Sequence, residues 1–297
     1  MKNTIIFIGF FYSYYIPILY SAPISFNTAL PVAQGEYLIR EQIIINRSGD
    51  DPSGLERNRS ENNVVTTLGY GINHQWTVFG TLPYRDINLK LDTNNTRVTR
   101  SNRGFADLTI FARYIAYKEN YKAKTFRVAP FLGLKLPTAN DSANDNLGNL
   151  PRTTQLSSGA HDIFAGVVLT WQSLLQQIDA QISYRMSKES NGFEIGRIVR
   201  FDGSYQYRIW RTASTDSIPD YLYAVLETNL IHQEKNRVNN ATDDNSNGRR
   251  LFISPGIQYV TMRWIVEFAV QLPIVQDLNG TALKNSYIAR SSFRYNF

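Results

Sequence analysis

The sequence predicts an all-β protein, a transmembrane antiparallel up-and-down β-barrel of about twelve strands, with long external loops and short periplasmic turns. Three observations predict it. The N-terminus reads as a secretory leader. Polar and apolar residues alternate with period two through most of the remainder, and long and short connections take turns between the segments so defined.

The leader comes first. Lys2 precedes the apolar run Ile5 to Phe11, which continues through Tyr12 and Tyr20 to the small pair Ser21-Ala22. A charged start, a short apolar core and small residues at the end describe a signal peptide. The run is too short and too rich in tyrosine for a spanning helix, which needs ~20 apolar residues. Residues 1–22 are therefore predicted to be removed, with the cleavage position approximate because Pro23 would stand at the new terminus. Residues 23–35 are expected to form a short periplasmic segment, and 36–297 the barrel. The expected destination is the bacterial outer membrane.

Composition agrees with that destination. The chain is 43% hydrophobic and its mean hydropathy is −0.29, far too polar for a bundle of membrane helices. Aromatic residues reach 13%, a type that favours strands and membrane interfaces, while charged residues stay at 19%. The absence of cysteine excludes disulfides and thiolate metal sites. A net charge of +6, spread without a basic block, gives no sign of nucleic-acid binding.

Alternation is cleanest at the centre of the chain. Phe126, Val128, Pro130, Leu132, Leu134 and Leu136 alternate with Arg127, Ala129, Phe131, Gly133 and Lys135. The pattern recurs over 160–172 and 174–187, and counting such segments gives twelve: 36–46, 61–72, 75–91, 104–117, 124–138, 160–172, 174–187, 194–211, 220–232, 249–261, 263–273 and 286–297. The odd connections, 47–60, 92–103, 139–159, 188–193, 233–248 and 274–285, are the longer and rich in Asn, Asp, Gly, Ser and Arg. The even ones are mostly tight. A lipid-embedded sheet permits no open edge, so the first strand must pair with the last. That last strand carries Phe293, Tyr295 and Phe297 at alternate positions, which resembles the C-terminal signature of outer-membrane proteins that the barrel-assembly machinery reads.

With the apolar set facing lipid, the opposite set lines the lumen. This places Arg113, Arg127, Lys135, Asp162, Asp179, Arg185, Arg200, Asp202, Arg208, Glu227 and Glu267 inside. A charge at mid-bilayer on the lipid face costs ~2–4 kcal/mol, so residues of both signs belong where water or a partner meets them. Two readings follow: a charged filter for solutes, or a network of ion pairs filling a narrow interior. Twelve strands lie between the filled eight-stranded barrel and the sixteen-stranded aqueous channel.

Catalysis was weighed against this. Twelve-stranded barrels include a phospholipase with a Ser/His pair oriented by Asn, and His161 lies beside Asp162 and close to Ser157 and Ser158. A turn leading into a strand explains that cluster as well, and no catalytic, cofactor-binding or metal-binding residue is assigned. The Asn/Asp runs at 144–146 and 243–247 lack the spacing of a calcium loop.

Several short runs resemble the outer-membrane β-barrel family named for the MetA-pathway of phenol degradation, often labelled as transporters. They are Asn27 to Pro31 with Arg40-Glu41-Gln42, Gly104-Phe-Ala-Asp107-Leu108 with Arg113-Tyr114, and Gly133 to Thr138. To these are added Ser158-Gly159 with Asp162, Ser254-Pro-Gly-Ile-Gln-Tyr259, Gln271-Leu-Pro273, Gln276 to Gly280, and Phe293-Arg-Tyr295. Ala106 and Ala139 stand where the family usually has glycine. The resemblance implies a porin-like barrel that passes small molecules, aromatic or hydrophobic ones among them. Expected partners are outer-membrane lipid, the barrel-assembly machinery and a small-molecule solute. The alternative is a structural or adhesive surface barrel, with a lipid hydrolase behind it.

Overall fold

The computed structural model describes residues 21–93, 96–212 and 219–297. In chain order the strands are β1 (Tyr37–Gly49), β2 (Asn58–Gly71), β3 (Trp76–Thr93), β4 (Thr96–Phe105), β5 (Leu108–Tyr114), β6 (Tyr117–Tyr121), β7 (Lys124–Leu136), β8 (Asn144–Asp145) and β9 (Gly148–Asn149). They continue as β10 (Asp162–Ser173), β11 (Gln176–Ser187), β12 (Phe193–Glu194), β13 (Ile198–Arg211), β14 (Tyr221–Gln233) and β15 (Arg237–Val238). The last are β16 (Ala241–Thr242), β17 (Gly248–Val260), β18 (Trp264–Leu278) and β19 (Lys284–Asn296).

Among the described residues, the wall closes as twelve antiparallel positions: β1, β2, β3, the broken strand β4–β5–β6, then β7, β10, β11, β13, β14, β17, β18 and β19, which returns to β1. At that seam Leu38 pairs with Asn296 and Gly49 with Lys284. The terminal residue completes it, because Tyr37 N donates to Phe297 O at 2.7 Å and Phe297 N to Tyr37 O at 2.9 Å. Closure leaves no unpaired edge to lipid.

Alternation then sorts the faces. Ile43, Leu68, Leu132, Ile182, Leu226 and Phe268 are exposed on the outside, while Gln42, Asp179, Gln206, Glu227, Ser254 and Glu267 are buried on the inside. Tyr37, Tyr70, Trp76, Tyr114, Trp264 and Phe297 gather at the rim where the termini meet, several in ring contact. This is the interfacial aromatic girdle of an outer-membrane barrel.

The fourth position is broken for reasons visible in its neighbours. Pro83 and Pro130 have no N–H to give the ladder. Opposite Pro83 the chain changes from β4 to β5, with Gly104 at φ +152° and Ala106 N on Pro83 O at 2.8 Å. Opposite Pro130 it bulges between β5 and β6. Ala106 sits buried at the interruption between β4 and β5, and Ala139 N donates to Asp107 at 3.2 Å.

Three sequence expectations are corrected. The segment 92–103, expected as a loop, continues β3 and β4 as a hairpin, because a ribbon standing beyond the lipid is polar on both faces and loses its alternation; Asn94 and Asn95 lie outside the described residues. The connection 274–285 shrinks to the short link after Leu278. Residues 23–35, expected as a periplasmic segment, run largely inside the barrel, where Ile24, Ala29, Leu30 and Val32 are buried. Of the predicted leader, residues 1–20 lie outside the described residues, whereas Ser21 and Ala22 are buried in the lumen.

Candidate functional site in the lumen

The interior presents two sets of side chains to the segment that crosses it. On one side stand carboxylates and amides from β11, β14 and β17. Glu227 accepts Ile24 N at 2.6 Å, Ser25 N at 3.1 Å and Ser25 Oγ at 2.5 Å. Gln258 exchanges two bonds with the backbone of Ala22, and Gln177 accepts from Ser21 Oγ at 2.9 Å. Asp179 accepts Thr28 Oγ1 at 3.0 Å and Thr170 Oγ1 at 2.5 Å, and Thr170 in turn accepts Ala29 N at 2.8 Å.

On the other side stand cations from β1 and β5. Arg40 Nη2 donates to Ile24 O at 2.7 Å, joined by Gln42 Nε2 at 3.1 Å. Arg113 donates to Thr28 O and Leu30 O, each at 2.5 Å, and stacks over Phe79 with its guanidinium carbon 5.0 Å from the ring centre. Strands β5 and β14 face each other across the closed sheet, so the segment bridges the lumen. The polarity is fixed by chemistry. The N–H groups of Ile24 and Ser25 point at a carboxylate and the carbonyls of Ile24, Thr28 and Leu30 at guanidinium groups, while Ala22, Asn27 and Ala29 are met by neutral side chains, so the buried backbone is bonded without a regular ladder.

Apolar contacts anchor the same segment. Ile24 is fully buried against Tyr223, Val225, Val260, Ile265 and Ala269, with Tyr221 beside them. Ala29 packs on Ala129 and Val168. Gly256 makes room for this, since a Cβ there would stand 3.0 Å from Ile24 Cδ1.

Most of the remaining charges of the inner face pair with one another, while Arg290 on β19 donates to Gln271 at 2.8 Å and to Gln42 at 3.2 Å. Glu267 holds Arg40 and Ser292 and accepts from Gln258 at 2.6 Å. Asp202 holds Arg200 at 2.9 Å, with Gln181 and Asn229 on its oxygens. Nearer the external end, Lys135 lies 3.0 Å from Asp107 and 3.4 Å from Asp162, and Arg185 lies 3.2 Å from Asp162. Arg208 packs over Tyr221, 4.7 Å from its ring centre, and Arg127 is buried on β7 in register with Thr170. Lys135 and Arg185 thus converge on one carboxylate, while Arg208 stands near the opposite rim; the four cations Arg127, Lys135, Arg185 and Arg208 form no single ring.

Other candidates are placed differently. Ser157 Oγ is committed to Asp107 at 2.9 Å, and His161 is exposed immediately before β10. Asp145 of the 144–146 run pairs with Arg100 at 2.6 Å, and Asp244 of the 243–247 run with Lys235 at 2.5 Å. Desolvation pushes the Asp145 carboxyl up, but the hydrogen bonds from Arg100 and Leu147 N together with the Arg100 charge outweigh it and hold the group below the usual carboxylate range. No grouping of His, Asp and Glu suited to a metal occurs among the described residues.

Sequence reasoning missed Arg40 and Arg290 of the basic side, and it missed the seated segment altogether. A signal was available. Tyr223 and Val225 share the phase of Glu227, and Ile265 and Ala269 share that of Glu267. Apolar residues in phase with lumen charges mark a surface that something covers.

The fold has known counterparts. An outer membrane channel from Pseudomonas putida F1 is similar over 94% of this chain and 100% of its own, with a TM-score of 0.64 and 12% identity. The β domain of the Bordetella autotransporter BrkA matches over 89% of this chain and 100% of its own, with a TM-score of 0.48 and 12% identity. No curated protein is found as a sequence relative. The closed twelve-position wall is an outer-membrane β-barrel fold, located in the bacterial outer membrane. A family model described as the putative MetA-pathway of phenol degradation matches residues 58–273, and the chain belongs to that family.

Proposed function

We propose that this barrel passes small molecules across the outer membrane, and that the seat of the N-terminal segment lies on the solute path. One observation carries the reading: the buried polar side chains at mid-lumen complete their hydrogen bonds on residues 21–30, which are no part of the wall. Interiors evolved only as scaffolds satisfy themselves, because an unpaired buried charge is costly. Side chains that depend on a separable segment are equipped to meet another polar occupant in its place. An apolar patch beside them suits solutes with a hydrophobic or aromatic part.

The leader is proposed to be cleaved near Ala22. The contacts from Ile24 onward would survive that cut. The aromatic positions Phe293, Tyr295 and Phe297 are proposed as the assembly signal. Their place in the closing strand means that recognition and closure use the same residues.

Planar-bilayer recording of purified, folded protein tests the function. Small, weakly selective current steps are expected, since both charge signs line the interior, and small aromatic acids should reduce the current. Silent membranes with folded protein would favour a structural or adhesive surface barrel, which a cell-binding assay on a deletion strain then examines.

A further inference from the structure

Ile24 is held in the lumen by three kinds of contact at once, each addressed to a different part of one amino-acid residue. Its N–H donates to Glu227 Oε1 at 2.6 Å. Its carbonyl accepts from Arg40 at 2.7 Å and from Gln42 at 3.1 Å. Its side chain is enclosed by Tyr223, Val225, Val260, Ile265 and Ala269. Gly256 supplies the room for the δ-methyl, and the residue is fully buried.

From this geometry we infer that the seat of Ile24 is a binding site for an aliphatic L-α-amino acid, which replaces the segment during passage. The inference rests on the reading of the lumen as a solute path and names its substrate class. In a free amino acid the ammonium takes the place of the Ile24 N–H at Glu227. Its further protons reach the second carboxylate oxygen, where Ser25 N and Oγ now sit. The carboxylate takes the place of the carbonyl beneath Arg40 and Gln42. Both exchanges turn a bond with one charged partner into an ion pair, which adds attraction between full charges to the hydrogen bond already made there. The side chain keeps the same apolar pocket. Against this stands the high effective concentration of a tethered competitor, on the order of millimolar for a short tether. Exchange therefore calls for free amino acid in that range.

The pocket also sets a specificity. A fatty acid lacks the donor that Glu227 meets, and an alkylamine lacks the acceptor beneath Arg40. The first leaves the buried Glu227 carboxylate without its donor; the second forfeits the bonds from Arg40 and Gln42, although Arg40 keeps Glu267. A D-amino acid places its side chain away from Val225 and Ile265 when both charged ends are engaged.

Two measurements on the full chain test this. In the first, Ile24→Asp sets a second carboxylate against Glu227 and expels the segment. Calorimetry with L-leucine should then show saturable binding, at least about tenfold tighter than D-leucine, 4-methylpentanoate or isoamylamine. Adding Glu227→Gln should weaken L-leucine by a similar factor. The second uses Ile24→Cys, the sole cysteine in a chain that has none, and follows its labelling by a water-soluble maleimide. L-Leucine should accelerate labelling several-fold, and 4-methylpentanoate should not. Equal effects of all four compounds, or no effect in either assay with folded protein, would overturn the inference. The same Ile24→Asp protein in a bilayer separates it from the channel reading. Conductance without amino-acid binding defeats only the substrate assignment, and binding without conductance defeats only the channel.

Discussion

Near Asp107 and Asp162 the charges of the lumen pair within the wall and its loop, whereas near Glu227 and Arg113 they meet a segment that is not wall. At the external side, Lys135 joins Asp107 and Asp162, Arg185 closes on Asp162, and Ser157 and Ala139 complete Asp107. Every member belongs to a strand or to the loop that caps it. At mid-lumen, Glu227 and Arg113 spend their bonds on Ile24, Ser25, Thr28 and Leu30. The first arrangement fixes a mouth. The second rests on a stretch of about ten residues that is joined to the wall by side-chain bonds and not by a backbone ladder, so its opening can be measured apart from that of the barrel.

The contrast can be broken at several points. The largest effect belongs to Arg113→Met, which strips the donors from Thr28 O and Leu30 O. Hydrogen exchange over 24–30 should speed up, with a loss of about 2–3 kcal/mol in opening free energy at two charge-assisted bonds. Barrel strands should keep their protection, and a uniform loss through the wall would erase the distinction drawn here. Lys135→Met comes next. Asp162 keeps Arg185 and Asp107 keeps Ser157, so a loss of about 1–2 kcal/mol is expected. It should fall on the loop 137–161 and leave exchange over 24–30 unchanged. Faster exchange at 24–30 in this variant would mean that the two halves are coupled.

The smallest effect lies in the loop 50–57, outside the membrane. Burial pushes the Asp51 carboxyl up, but hydrogen bonds from Arg57 and Ser53 outweigh it and hold the group well below the usual carboxylate range. A depressed folded pKa stabilises above the unfolded value of ~3.9, and that stabilisation is lost as pH falls through the lower folded value. Protection of residues 53–57 should thus persist at pH ~4 and fade only in stronger acid. Asp51→Asn should lower it at neutral pH by under ~1 kcal/mol, since the pair is partly exposed. Exchange from this loop that falls off in the ordinary Asp range would contradict the assigned contacts.

The strand count and the closure were legible because period-two alternation records which solvent each face meets. Phe126 to Leu136 and Gln177 to Met186 carry it without interruption. The hairpin extension through β4 was not legible, because the ribbon is polar at nearly every position from Thr96 to Arg103, with Arg100 turned onto the 145–149 loop, and so carries no apolar alternation. The occupant of the lumen was hidden for another reason. Residues 23–34 are held by side-chain bonds to their individual backbone groups, and such bonding imposes no repeat on their sequence. Only the receiving surface left a trace, in the inward apolar residues Tyr223, Val225, Ile265 and Ala269. Arg40 and Arg290 were missed because their strands alternate less cleanly, with Ile39, Ile43, Ile44 and Ile45 apolar on both faces of β1.

The central claim is that the seat of residues 21–30 and the solute path are the same space. Single-channel conductance of full-length Ile24→Asp, measured beside the parent chain in the same bilayers, tests it most directly. The account predicts a several-fold larger and more persistent conductance once the segment leaves. Equal conductance, with the segment shown by hydrogen exchange to be released, would place the path elsewhere and contradict it.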